Sequence, residues 1–150
     1  RIHCRFEADN LDALEELLGD VGAGRVDLLA YNDHTPAIVR RLEDAAKLAK
    51  YAERAGLGAE AFIALAERAH MRRPEVPAAQ RRLAEAARAA GIPMLSHDDD
   101  TPVTRAAFRA LGVTICEFPM AEAVAEAARA AGEHVVMGAP NVVRGGSHLG

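Results

Sequence analysis

The chain contains no tryptophan, two cysteines and only 4% aromatic residues in 150 positions. Its core must therefore be built from aliphatic side chains and alanine packed closely, with few large rings to fill space. Cys4 and Cys116 each sit inside an apolar run. Two such residues read as buried free thiols of a reducing compartment, not as a disulfide framework. No stretch approaches the ~20 apolar residues of a membrane span, and no signal-peptide pattern is visible. The expectation is a cytoplasmic protein with no membrane partner. A basic surplus is lacking too: 18 Lys and Arg face 22 Asp and Glu, for a net charge of −4, which argues against a nucleic-acid partner. Finally, the chain opens on Arg1, not Met, in an apolar run, and stops at Gly150 in a glycine-rich one. Domain ends usually fall in surface linkers, so the expectation is an internal segment of a longer protein.

Half of the residues are hydrophobic, and the length suits one ordinary domain with a sizeable core. Alanine is concentrated in helical stretches, where its propensity is highest. Periodicity predicts five strands, at about Arg1–Glu7, Arg25–Tyr31, Pro93–Ser96, Val113–Glu117 and His134–Met137. An amphipathic helix is expected from Asn10 to Leu18, closed by Gly19, Gly22 and Gly24. Further helices are expected at Pro102–Leu111 and Ala121–Ala131. Gly91, Gly112 and Gly132 stand where helix C-caps belong. Strands alternating with helices at this spacing predict an α/β fold with a parallel sheet.

One interval breaks the rhythm. Residues 38–90 read as a helical insertion, with helices at about Ile38–Ala55, Ala59–His70 and Ala78–Ala90. Its charges, among them Arg40, Arg41, Arg72 and Arg73, fit either a solvated face or a cover that brings cations to a phosphorylated substrate. The length exceeds an ordinary βα connection.

Chemistry-bearing residues gather directly after the apolar runs. Glu7, Asp33, His34, His97, Asp98, Glu117, Asn141, Arg144 and His148 fall at or just past predicted strand ends, where parallel α/β folds assemble their sites. Imidazoles and carboxylates on one rim suit zinc or another first-row divalent cation. Plainer roles stay open: His97 as a helix cap, Glu7 as a partner of Arg5, Asp98–Asp100 as acids favouring a helix N-terminus. For Asp100 that last role is the expected one. His3, His70 and His134 show no constellation and read as structural. Arg144, Gly145, Gly146 and Ser147 have the makings of an anion cradle, although a surface turn explains them equally well.

In this order, Asp33-His34-Thr35-Pro36, Ser96-His97-Asp98-Asp99 with Thr101, Glu117-Phe118-Pro119 and the long run Met137–His148 resemble one family. It is the alpha-D-ribose 1-methylphosphonate 5-triphosphate diphosphatases of the carbon–phosphorus lyase pathway, in the amidohydrolase superfamily. His3-Cys4-Arg5-Phe6-Glu7 resembles the family's His-x-Arg-Cys-Glu strand, with Phe6 where Cys usually stands. The resemblance implies part of a (β/α)8 TIM-like barrel, here about five βα units, with a divalent metal, zinc or manganese, at the strand ends. It implies hydrolysis of a phosphorylated ribosyl phosphonate to its 5-phosphate and pyrophosphate. Glu7, His34 and His97 are the implied metal ligands, and Asp98 and Glu117 the implied catalytic carboxylates. Asn141, Arg144, Gly145, Gly146, Ser147 and His148 are implied to bind substrate. The superfamily's first-strand histidines would lie before Arg1 and its last-strand Asp beyond Gly150, and Ala37-Ile38 replaces the usual Gly-Gln. Alone, such a piece is expected to be inactive and poorly folded or self-associating, because its sheet edges stay open; a homo-oligomer is a further expectation. The alternatives are a superfamily relative acting on an amide, ester or amino-substituted ring, and a non-catalytic phosphosugar- or phosphonate-binding module.

Overall fold

The structure, a computed structural model, describes residues 1–139 and 143. Five short strands, β1 (His3–Glu7), β2 (Leu28–Asn32), β3 (Met94–His97), β4 (Ile115–Glu117) and β5 (His134–Val136), form one sheet. Every pairing is parallel, and the spatial order is β1-β2-β3-β4-β5. The α/β expectation holds. The order never reverses, which sets it apart from a doubly wound sheet and matches the sequential order of a (β/α)8 barrel.

Strand periodicity assigns the two faces. Phe6 pairs laterally with Tyr31, Tyr31 with Ser96, Ser96 with Cys116, and Cys116 with Val135. This row, with Leu29 and Met94, lies under helices. Leu14, Leu17 and Val21 from α1 (Leu14–Gly22) and Val76, Ala79 and Leu83 from α5 (Val76–Ala89) pack into the same core. α6 (Pro102–Ala110) contributes Phe108, whose ring lies 5.8 Å from that of Tyr31. Under β4, Cys116 packs with Val124 and Ala128 of α7 (Glu122–Ala130). α1 lies against α5 and α6 against α7. The aliphatic, ring-poor core is the one the composition requires.

The opposite face carries Arg5, Glu7, Ala30, Asn32, Leu95, His97, Ile115 and Glu117. Arg5 on β1 reaches Glu117 on β4 at 2.8 Å. In a flat sheet three strand spacings amount to roughly 14 Å, so this contact across the face marks it as concave. Arg5, Glu7, Asn32, His97 and Glu117 are the polar strand residues of that face.

Several boundaries differ from expectation. The first helix begins as a 3-10 turn, Leu11–Ala13, and α1 then runs through Gly19 and Gly22, with Gly24 at φ 69° beyond its end. The expected helix Ile38–Ala55 is two helices, α2 (Thr35–Val39) and α3 (Ala45–Ala55). Asp44 separates them, because its carboxylate accepts the N–H groups of Ala46 and Lys47 at 3.1 and 3.2 Å. A side chain that caps so well starts a new helix and does not extend the old one. α4 (Ala59–Met71) and a 3-10 turn, Arg73–Glu75, complete the stretch before α5. Gly91, Gly112 and Gly132 all adopt positive φ after α5, α6 and α7. At Gly112 the requirement is double: φ is 89°, and a Cβ would meet Arg88 Cδ at 3.1 Å. Both cysteines are free. Among the described residues no helix is long and apolar enough to cross a membrane.

Candidate metal centre

The site begins with ladder chemistry at the strand ends. Beyond each of β1, β3 and β4, the next amide continues the parallel ladder: Ala8 donates to Asn32, Asp98 to Glu117 and Phe118 to Val136, at 2.8, 3.0 and 2.9 Å. After β3 and β4 the chain then turns sharply. Asp98 has φ 58° and Phe118 φ 55°. An aspartate tolerates the left-handed region, but a phenylalanine there is an outlier that surrounding structure must hold in place. Phe118 is held by His97, 5.3 Å away ring to ring, and by Gly138, where a Cβ would meet the ring at 2.8 Å.

Glu7 grips the next loop. Its Oε1 accepts the N–H of His34 at 2.6 Å and of Thr35 at 3.3 Å, while Oε2 lies 2.9 Å from His34 Nδ1. Burial pushes the Glu7 carboxyl up, but the side-chain and backbone bonds from His34, its charge, and the Thr35 amide outweigh it and hold the group below its usual range. In return, the bond to Glu7 raises the His34 imidazole against the opposing effect of burial, with the charges of Glu7 and Asp98 adding to the rise. When neutral, His34 keeps its proton on Nδ1 for this carboxylate, which leaves Nε2 as a lone pair. Nε2 faces Asp98 Oδ2 at 3.7 Å.

His97 completes the group. Its Nδ1 lies 3.1 Å from the same Asp98 oxygen, and its Nε2 lies 3.7 Å from Glu117. The first contact is too poorly angled to be a hydrogen bond, so Nδ1 is buried without a partner. Burial drives the His97 pKa down, against the pull of Asp98 and Glu117. Donor atoms of His34, His97 and Asp98 all lie within 4.8 Å of one another. Two imidazoles and a carboxylate at this spacing are a borderline-hard donor set for a first-row divalent cation. The orphaned buried His97 nitrogen fits the same conclusion, since an unmet polar atom is costly without a ligand.

Of the expected residues, the structure brings Glu7, His34, His97, Asp98 and Glu117 to one rim. Glu7 supports His34 and is not part of the converging trio. Arg5, weighed above as a partner for Glu7, is instead paired with Glu117, through hydrogen bonds of 2.8 and 3.1 Å to its two oxygens. The capping role weighed for His97 belongs to Thr101, whose hydroxyl accepts the Thr104 N–H at 3.1 Å. Asp100 accepts from the Thr104 hydroxyl at 2.7 Å at the start of α6, in keeping with its expected role. His3, His70 and His134 are exposed. Asn141, Arg144, Gly145, Gly146, Ser147 and His148 lie outside the described residues.

Sequence reading missed three features. Asn32, in the rim row beside Glu7, has a buried carbonyl oxygen without a partner. Arg105 is fully buried and bonds Ser96 at 2.7 Å, Asp99 at 3.2 Å and the Val113 carbonyl at 2.7 Å. A cavity of about 530 Å3 between the β1 loop, α2 and α4 is lined by Glu7 and Thr35 on the site side and Ile38, Phe62, Leu65 and Arg68 on the other. Strand parity flags Asn32, but no local pattern flags the other two.

A comparison with known proteins adds a partial relative. Over 68 residues the chain is 50% identical to alpha-D-ribose 1-methylphosphonate 5-triphosphate diphosphatase of Escherichia coli (strain K12). The two are homologous over that stretch. It takes in 45% of this chain and 18% of the relative's length. No family model matches the chain, and no solved structure does.

Proposed function

We propose that this chain forms part of the metal centre of a hydrolase that cleaves alpha-D-ribose 1-methylphosphonate 5-triphosphate to the 5-phosphate and pyrophosphate. The observation that carries the reading is the convergence of His34, His97 and Asp98 at the ends of neighbouring strands. The partial homology to a diphosphatase supplies the substrate class. His34 and His97 would hold the cation, with Glu7 behind His34 or at the cation itself. A bound zinc or manganese ion would make water nucleophilic near neutral pH and offset charge on phosphate oxygens.

The chain's own residues do the rest. Glu7 fixes the His34 tautomer and ring plane, as carboxylates behind ligating histidines commonly do. Water adds to a phosphorus of the triphosphate, an anhydride P–O bond breaks, and pyrophosphate leaves carrying the bond electrons. Of the two carboxylates expected to handle protons, Asp98 is the freer, because Glu117 is engaged by Arg5. Asp98 is also the more exposed of the two. Helices α2 and α4 roof the cavity beside Glu7 and would exclude solvent there. Arg144, Ser147, His148, Asn141 and the backbone of Gly145 and Gly146 are the proposed phosphate contacts.

The test, made on the full-length protein of which the chain is proposed to form part, is pyrophosphate release from the ribosyl triphosphate, with added divalent cation and with chelator. Release that needs the cation, and that fails in His97→Ala, supports the reading. A folded, metal-loaded protein that releases none points to an amide, ester or ring substrate. Ligand binding that survives chelation and His97→Ala points to a non-catalytic binding module.

A further inference from the structure

Arg72 and Arg73, weighed above as cations for a phosphorylated substrate, are consumed by carboxylates of this chain. Arg72 binds Asp12 at 2.6 Å and Glu75 at 3.0 Å. Arg73 does something more pointed. Its Nη1 donates to Asp9 Oδ2 at 2.7 Å and to Asp33 Oδ1 at 2.7 Å, and its Nη2 donates to Asp33 Oδ2. Asp9 lies two residues past Glu7, and Asp33 immediately precedes His34. One planar guanidinium in the turn between α4 and α5 therefore ties the loop after β1 to the loop after β2.

We infer that Arg73 is a positioning residue: its fork fixes the register between Glu7 and His34, and so links the α4–α5 turn to the candidate metal centre. Glu7 Oε1 receives two consecutive amides at 2.6 and 3.3 Å, a geometry that a shift of about 1 Å between the loops would break. The fork adds to the ladder bond from the Ala8 N–H to the Asn32 carbonyl at 2.8 Å a side-chain bond that reaches past it, from Asp9 to Asp33. Arginine suits the task because its donors lie in one rigid plane, whereas lysine offers a single point charge that serves one carboxylate at a time. The arrangement is costly for mere stability: the Asp9 side chain is 1% exposed and its Oδ1 has no partner. Buried pairs of this kind contribute little net stability compared with apolar replacements.

The consequence for metal binding rests on the function proposed above; the positioning itself does not. Two variants separate them. Arg73→Lys keeps the charge and loses the fork. Arg73→Ala with Asp9→Asn removes both charges of the buried pair, so that the carboxylate losing its partner is Asp33, whose side chain is 34% exposed. Amide hydrogen exchange is read at His34 and Thr35, with Leu29 and Leu95 as core references. The expected result is exchange about ten-fold or more faster at His34 and Thr35 in both variants, with the references unchanged. Protection at His34 and Thr35 equal to that of the parent protein, or a uniform rise that includes Leu29 and Leu95, overturns the inference. Cobalt(II) titration, followed by its visible absorption, supplies the second readout. Affinity about 10–100-fold weaker in both variants is expected, as for lost outer support of a ligand. Unchanged affinity overturns the link to the metal centre. A parent protein that binds no cobalt(II) defeats the metal reading, while the exchange data still decide the role of Arg73.

Discussion

Replacing Arg105 with methionine is expected to cost the protein about 3–5 kcal/mol, because it strands buried charge without opening a cavity. Arg105 and Asp99 are both 0% exposed at the side chain, and Glu133 is 6% exposed. The guanidinium faces Asp99 Oδ2 at 3.2 Å and Glu133 Oε2 at 3.0 Å, and it donates to the Val113 carbonyl at 2.7 Å. Asp99 already has one oxygen unpartnered, and its other oxygen also takes the Ser96 hydroxyl at 2.6 Å. Methionine fills similar space, so most of the loss comes from the Asp99 carboxylate left in a dry interior, while Glu133 keeps Arg109 at 2.6 Å. For a domain of this size the melting temperature should fall by roughly 6–20 °C. Urea unfolding of Arg105→Met against Arg105→Met with Asp99→Asn isolates the cause, because Glu133 stays paired with Arg109 in both. The neutralised double variant should recover most of the loss. A single variant within 1 kcal/mol of the parent protein would refute the reasoning, since the buried charges would then have found other partners or solvent.

Other outcomes follow from single contacts. Gly138→Ala should displace the Phe118 ring, which a Cβ would meet at 2.8 Å, and cost about 1–3 kcal/mol by overpacking, read as a shift in urea midpoint. The Cys116 thiol, pushed up to about 11 chiefly by burial and next by the Asp99 charge, should resist iodoacetamide at pH 8 in the folded protein and react only on unfolding, as counted by mass spectrometry. Thr101→Ala removes the acceptor of the Thr104 amide at 3.1 Å and should lower stability by about 1 kcal/mol in the same urea assay. Glu7→Gln should weaken cobalt(II) binding by about 10–100-fold through loss of His34 support; equal affinity would show that the carboxylate is not needed.

Much of this molecule is legible in its sequence because parallel strands announce themselves as short apolar runs that stop abruptly. Leu95 to His97 and Cys116 to Glu117 are such stops, and both end in the concave face. The helices are legible where capping glycines agree with periodicity, as at Gly91 and Gly112. They were misjudged at Asp44, where one side chain bonds the N–H groups of Ala46 and Lys47 and overrides an alanine-rich pattern that favours one long helix. The glycine spacing predicts a stop at Gly19 and Gly22, yet α1 runs through them because Leu14, Leu17 and Val21 are buried on its inner face. Burial of an amphipathic face outweighs the propensity cost of two glycines, about 1 kcal/mol each.

Partner choice was the less legible part, and Arg5 shows why. By sequence its nearest carboxylate on the same strand face is Glu7, two positions away. Side chains two apart on one strand point the same way but stand nearly 7 Å apart at the backbone, and Glu7 has a better offer. The loop after β2 presents two amides and an imidazole to it at once, a set of donors that one guanidinium cannot displace. Arg5 then turns to Glu117, three strands over, which only a curved sheet brings within 2.8 Å. Curvature is a property of all five strands together and leaves no mark in any one of them. His34, His97 and Asp98 follow the laterally paired strands β2 and β3 and so meet within 4.8 Å; the sequence identifies the residues of the site and the sheet determines which of them meet.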